Sequence, residues 1–399
     1  MSRDFRARRL AGVLLALGAS ALLLACGGSG DAGDAGLSAE ARLGEKIFFD
    51  ASLSASGRQS CASCHDAARG HAAGNALPAQ FGGPLGTLQG VRNTPGIRYL
   101  ASNTAFFFDE EGTPTGGFFW DGRAASLAEQ AGGPFLNPLE MANPDKASVV
   151  AKLAATAYAP EFKRVYGASV FGDVQTAYLR LTEALQRYQL EDVEFNAFTS
   201  KYDAYLRGTA ALSAQESRGL ALFNSPTKGN CFACHPSAAG ADGKPPLFTD
   251  FTYDNLGLPR NMALAANADP AYVDLGLCQR ADLAGREDLC GAFKVPSLRN
   301  VALRQALFHN GVFTSLREAV QFYVQRDTQP EKWYPRRADG RVDKFNDLPA
   351  AYHGGVNTSE APYDRQPGDA PALDEAEIDD LVAFLQTLTD GYRAPPEQP

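Results

Sequence analysis

Two copies of one pentapeptide constrain this chain more than any other feature: Cys61-Ala62-Ser63-Cys64-His65 and Cys231-Phe232-Ala233-Cys234-His235. In each, two thiols are spaced to reach the two vinyl groups of one porphyrin, and the next residue then lies under the iron as an axial ligand. A zinc site or a disulfide competes as the reading of a single C-x-x-C. Two copies about 170 residues apart, each followed by His, favour two covalently bound haem c groups. A chain built round two such groups is expected to be mainly α, with tandem cytochrome c-like haem domains and long loops.

The start of the chain points to export. Arg3, Arg6, Arg8 and Arg9 precede an apolar stretch, Leu10 to Leu24, too short to span a bilayer comfortably. Leu23-Leu24-Ala25-Cys26-Gly27 resembles a bacterial lipobox, which implies a signal peptide over residues 1–25 and lipid on the Cys26 thiol. An ordinary secreted protein with a stray cysteine is the alternative. Residues 26–38, rich in Gly and Asp, read as a flexible tether. The expected location is periplasmic and lipid-anchored, at the outer membrane, with the lipid as the sole membrane contact. Of seven cysteines, Cys278 and Cys290 remain, and in an oxidising compartment they are expected to pair. Such a closure would contribute roughly 3 kcal/mol; a functional redox pair is the alternative.

The formal charge is −9, and the first 25 residues hold four Arg and one Asp, so the rest carries −12. That argues against nucleic acid and for a basic redox partner. Ala39 to Phe49 and Ser213 to Phe223 read as amphipathic helices, each leading through a loop into a C-x-x-C-H. Lys146 to Tyr166, Val174 to Leu206 and Asp374 to Thr389 also carry helical spacing. Arg326 to Pro371, rich in Pro, Gly and Asp, reads as a long surface excursion, and Arg393 to Pro399 as a fraying end. The expected division is an N-terminal haem domain at 39–207 and a C-terminal one at 208–393.

Several spaced motifs then carry a resemblance. Leu43-Gly44 through Phe49-Asp50, Arg92-Asn93-Thr94-Pro95, Phe119-Trp120-Asp121-Gly122-Arg123-Ala124, Glu129-Gln130-Ala131, Gly133-Pro134, Asn137 and Glu140-Met141 lie in order. Phe293 to Asn300 and Phe308-His309-Asn310-Gly311 follow. Together they resemble the bacterial di-haem cytochrome c peroxidase and MauG family over most of Leu43 to Leu388. The resemblance implies a peroxidase that reduces hydrogen peroxide to water, with a high-valent intermediate shared between two haems. It implies Glu140 as acid–base group, Gln130 and Pro134 beside it in the distal pocket, and Trp120 as a relay between the haems. An external electron donor such as a small cytochrome or cupredoxin would close the cycle.

The axial ligands refine this expectation. Reductively activated members carry a second His on the first iron, at positions that are here Phe81 and Leu85. His71 is the nearby candidate, but it follows His65 by only six residues, a short reach round a haem edge at ~3.5 Å per residue. The first iron is therefore expected to be five-coordinate or weakly water-bound. On the second haem the family's Met position holds Tyr323, as in the MauG branch; water or Met262 is the alternative ligand. A phenolate stabilises ferric iron relative to Met. This keeps open a MauG-like enzyme that oxidatively modifies a partner protein. A plain electron carrier would not need Gln130 and Glu140. The resemblance also implies a calcium ion held by Asn93 and the carbonyls of Arg304 and Ala306.

Overall fold

The computed structural model describes residues 36–240 and 243–394. The expected signal peptide, Cys26 and most of the tether lie outside them. Among the described residues the structure is mainly α-helical, with three two-stranded antiparallel pairings. No helix among them is long and apolar enough to cross a membrane.

Helix starts follow the side chains that can cap them. Ser38 accepts from Ala41 N to open Ala39–Phe49. Ser213 with Glu216, and Asp374 with Glu377, form capping boxes that open Ala214–Phe223 and Glu375–Gln386. Two expected long helices are broken. Lys146–Ala154 stops at Ala155, and Ala159–Tyr166 restarts with Pro160 in its first turn. Val174–Glu191 ends at Asp192, and Lys201–Leu206 begins after Ser200. In the second case the Ser200 cap competes with continuation of the helix; in the first, Pro160 sets the restart without a side-chain cap.

Two large apolar clusters form. In the first, Leu43, Ile47 and Phe48 pack on Leu181, Leu185 and Tyr188. In the second, Phe223 packs on Ile378, Leu381 and Phe384. Each cluster rests on one close helix crossing made by a glycine. A Cβ on Gly44 would lie 2.0 Å from the Ala184 carbonyl oxygen, and one on Gly219 would lie 2.0 Å from that of Asp380. The helices that lead into the two C-x-x-C-H motifs therefore dock in the same way.

The segment 326–371 is not the surface excursion its composition suggests. Tyr334, Phe345, Leu348, Val356 and Tyr363 join the buried set, and Arg326 is fully buried. Arg326 pairs with Asp327, which also takes Lys344, and donates to the carbonyls of Leu256 and Asn357. Internal pairing lets these charges lie inside. Elsewhere in the second half, Cys278 and Cys290 are joined by a disulfide. Deeper still, Arg299 makes a bidentate pair with Asp203 at 2.8 and 2.9 Å, their side chains 1% and 0% exposed.

Candidate functional site

Cys61–Cys64 forms one short helical turn, steadied by Ser63 Oγ, which accepts from the Ser60 N–H at 3.0 Å. His65 leaves that turn, and its Nδ1 donates to the His71 carbonyl at 3.0 Å. The second motif repeats the arrangement: Cys231–Ala233 is a 3-10 turn, and His235 Nδ1 donates to the Phe248 carbonyl at 2.7 Å. A carbonyl can only accept, so the proton is fixed on Nδ1 and Nε2 is left as the ligating nitrogen. Burial pushes both imidazoles down to about 4, so each is neutral at neutral pH. The acceptor residues share an uncommon backbone: His71 and Phe248 have φ of 55° and 54°.

His71 therefore serves the first site through its carbonyl. Its ring is buried elsewhere, accepting from Arg98 Nε at 3.0 Å and stacking on Phe195 at 4.3 Å.

A large cavity runs from Gly70, Trp120 and Gln130 to Cys231, Cys234, His235 and Tyr323. At both motifs two unpaired thiols stand beside an imidazole with a carbonyl-held Nδ1. Thiols and imidazole of this kind fit covalent attachment of a porphyrin at each place; of the two motifs, the second lines the cavity and Cys61, Cys64 and His65 do not.

The residues expected in the distal pocket come from one helix and the turn after it; of these Gln130 lines the cavity, and Pro134 and Glu140 do not. Ser126 caps Leu127–Leu136, which carries Gln130. Pro134 lies inside this helix and removes the i+4 donor for the Gln130 carbonyl. The helix ends at Asn137, whose Nδ2 donates to Glu140 Oε1 at 2.7 Å. Burial raises the Glu140 carboxyl above its ordinary range, against the pull of Asn137 and of Arg123. Glu140 is close enough to Cys61 and Cys64 to help push their thiols up, behind burial as the main cause. It thus stands by the first motif.

A hairpin covers that turn. Phe81–Gly82 pairs with Leu88–Gln89, and Gly83 N donates to the Glu140 carbonyl at 2.7 Å. Gly82 lies so close that a Cβ there would sit 2.1 Å from the Leu139 oxygen. Phe81 and Leu85, 45% and 78% exposed, point largely into solvent.

Trp120 is buried, and its Nε1 donates to the Asn93 carbonyl at 2.8 Å. Lys294 N donates to the Trp120 carbonyl at 2.9 Å. Burial pushes the Lys294 ammonium down to about 7. Tyr323, on Leu316–Gln325, lines the cavity between Phe308 at 5.5 Å and Tyr363 at 6.0 Å. Burial raises its phenol, with Asp254 adding to the effect. Met262 is 68% exposed, Met141 is buried in the first core, and neither lines the cavity.

The calcium donors are differently engaged. Asn93 Nδ2 donates to the Ala306 carbonyl at 2.8 Å and to that of Phe308 at 3.0 Å. Arg304 brings a guanidinium to the same place, donating to the Thr94 carbonyl at 3.0 Å. A buried guanidinium at this place does not fit a calcium site, which needs converging oxygens and no competing cation.

Sequence reasoning missed the carbonyls of His71 and Phe248, because a backbone acceptor has no residue signature. It also missed Tyr363, which lies in the segment read as surface.

The chain is similar to known proteins over most of its length. A family model described as di-haem cytochrome c peroxidase matches residues 38–211. The methylamine utilization protein MauG of Paracoccus denitrificans is 39% identical over 385 residues, covering 94% of this chain and 95% of that one. The cytochrome c551 peroxidase of Nitrosomonas europaea is 31% identical over 284 residues, 70% of this chain and 71% of its own. The crystal structure of the diheme peroxidase BthA from Burkholderia thailandensis superposes with a TM-score of 0.82 at 43% identity, covering 88% of this chain and 86% of that chain.

Proposed function

The chain belongs to the di-haem cytochrome c peroxidase and MauG family and is a peroxidase-type oxidoreductase; from that premise we propose how its residues divide the work. The fold reads as two tandem haem c modules, 39–207 and 208–393, a reading supported by two apolar cores built on matching glycine crossings. When bound, the two haem c groups supply the redox chemistry by which hydrogen peroxide is reduced to water.

Glu140 is the acid–base group. Its carboxylate takes a proton from hydrogen peroxide and returns it to the leaving oxygen, while Gln130 orients the substrate from the preceding helix. The supporting observation is a buried carboxyl with a raised pKa, held by Asn137 and next to the thiols of the first motif. His65 and His235 would hold the irons, their rings oriented by the His71 and Phe248 carbonyls. Trp120 is the aromatic relay on the cavity wall. Electrons come from a small cytochrome or cupredoxin. The chain is exported and anchored by lipid at Cys26, a reading that rests on its sequence.

Tyr323 would hold the second iron together with His235. The supporting observation is a cavity that contains Tyr323 and His235 and excludes both Met141 and Met262. This feature also favours the MauG-like reading, in which the same oxidising power is turned on a partner protein. The decisive experiment on Glu140 is rapid mixing of oxidised Glu140→Gln with one equivalent of peroxide. General acid–base loss should slow the reaction by roughly 10²–10⁴-fold with both haems attached; an unchanged rate would remove Glu140 from the mechanism.

A further inference from the structure

The segment Arg92 to Gly96 is a strap on which much of the site depends. Asn93 O receives the Trp120 indole, and Asn93 N donates to the His309 carbonyl at 2.7 Å. Just past the strap, Ile97 N donates at 3.3 Å to the His71 carbonyl, the same oxygen that holds His65. Across from the strap runs the turn at 301–308, and the family resemblance puts a calcium ion between them. Here the carbonyls of Ala306 and Phe308 already receive both bonds from Asn93 Nδ2. Turning Asn93 Oδ1 on them instead would set three oxygens face to face. That oxygen is buried and has no partner. No cluster of acidic, His or Cys side chains among the described residues could hold a metal.

A positive charge is nevertheless present. The Arg304 side chain crosses from the turn to the strap, where Nη2 donates to Thr94 O at 3.0 Å. Its Nη1 lies 3.8 Å from where a Gly96 Cβ would be, an ordinary contact distance, so the guanidinium lies alongside the strap at Gly96 as well. Among the described residues no carboxylate pairs with this guanidinium. A dication placed beside this unpaired guanidinium would be repelled in a low-dielectric setting. The planar fork also supplies directional donors to carbonyl oxygens, which a metal ion would instead coordinate.

We infer that Arg304, and not a bound divalent cation, clamps the Arg92–Gly96 strap to the turn at 301–308 and so positions Trp120 and His65. Arg304 is a positioning residue, and the protein is calcium-independent.

The test uses the full haem-loaded protein. Metal analysis should find substoichiometric calcium. The chelator EGTA should leave both the Tm and the peroxide reaction of the wild type unchanged. Arg304→Gln should lower the Tm and slow the peroxide reaction roughly tenfold or more, as expected when a supporting contact misplaces reacting groups. Arg304→Lys keeps the charge and a donor, and should recover part of that loss. One tightly held calcium per chain, or a Tm that falls with EGTA, would overturn the inference. So would an Arg304→Gln variant matching the wild type in both readouts. If Arg304→Gln does not load haem, calcium content and the EGTA response of the wild type still decide. Neither of these needs peroxide turnover, so the inference can fail while the peroxidase reading stands.

Discussion

Replacing Gly82 with Ala adds one methyl group at the tightest point over the proposed acid–base residue. The new Cβ would lie 2.1 Å from the Leu139 oxygen, 2.7 Å from the Glu140 Cα and 2.8 Å from the Glu140 oxygen. All three atoms are backbone, so no rotamer change relieves the contact. Reaching the 3.0 Å that real Cβ atoms respect requires about 0.9 Å of separation. The Gly83 N–Glu140 O hydrogen bond ties the hairpin to the turn, so the movement cannot be confined to the hairpin. Overpacking of this kind costs about 1–3 kcal/mol of stability. A misplacement near 1 Å costs about 10²-fold in rate, or about 2.7 kcal/mol of barrier. Stopped-flow absorption of the oxidised protein with peroxide measures this, with the potential of the second haem as the control that should not move. A rate within about twofold of wild type, with both haems attached, would refute the premise that Glu140 must be held in register.

Three further substitutions probe other parts of the structure. Tyr323→Met should raise the potential of the second haem by on the order of 100 mV or more, within the ~0.8 V range that axial ligands span; an unmoved midpoint in a spectroelectrochemical titration would count against Tyr323 as ligand. Asp203→Asn strands the buried Arg299 guanidinium and should cost about 3–5 kcal/mol in urea unfolding; a loss below ~1 kcal/mol would show that Tyr99, Phe198 and Phe248, stacked round that guanidinium, carry it unaided. Burial raises the Asp347 carboxyl to about 7, outweighing Arg260 at 3.7 Å. Its protonated form is therefore the one the fold favours, and its contribution is full below the unfolded carboxylate pKa and is lost as pH rises through about 7. Asp347→Asn should remove that dependence, gaining up to roughly 4 kcal/mol on the alkaline side relative to wild type; parallel stability–pH curves for the two proteins would contradict it.

What could be read in the sequence was what covalent chemistry or local capping dictates. Cys61, Cys64 and His65 have to be close in sequence to serve one porphyrin, so their spacing survives any fold. Ser38, Ser213 and Asp374 announce their helices because a cap needs only its own next turn. The breaks at Ala155 and Asp192 were hidden because apolar spacing continues across them. The burial of 326–371 was hidden for a different reason. Its charges satisfy one another, as Arg326, Asp327 and Lys344 do, and composition cannot distinguish an ion set that faces water from one that faces inward. Gly82 carried no local signal either, since what requires it is the Leu139–Glu140 backbone across a gap of more than 50 residues.

The left-handed turns at His71 and Phe248 have a consequence for how two chemically identical cofactors come to differ. Because each proximal imidazole leans on a main-chain oxygen, its electron-donating strength is written into the path of the chain and not into a side chain. Point substitution can strengthen or remove a carboxylate acceptor but cannot remove a carbonyl. Natural variation in this chain is thus left with the opposite side of each ring on which to work. On the roles proposed above, one haem would become a substrate-facing centre and the other a reservoir through what stands there: the Glu140 carboxyl at the first and the Tyr323 oxygen at the second. Division of labour is then a one-sided property, and a change of reaction class needs a handful of distal residues while the proximal scaffold is carried along unaltered.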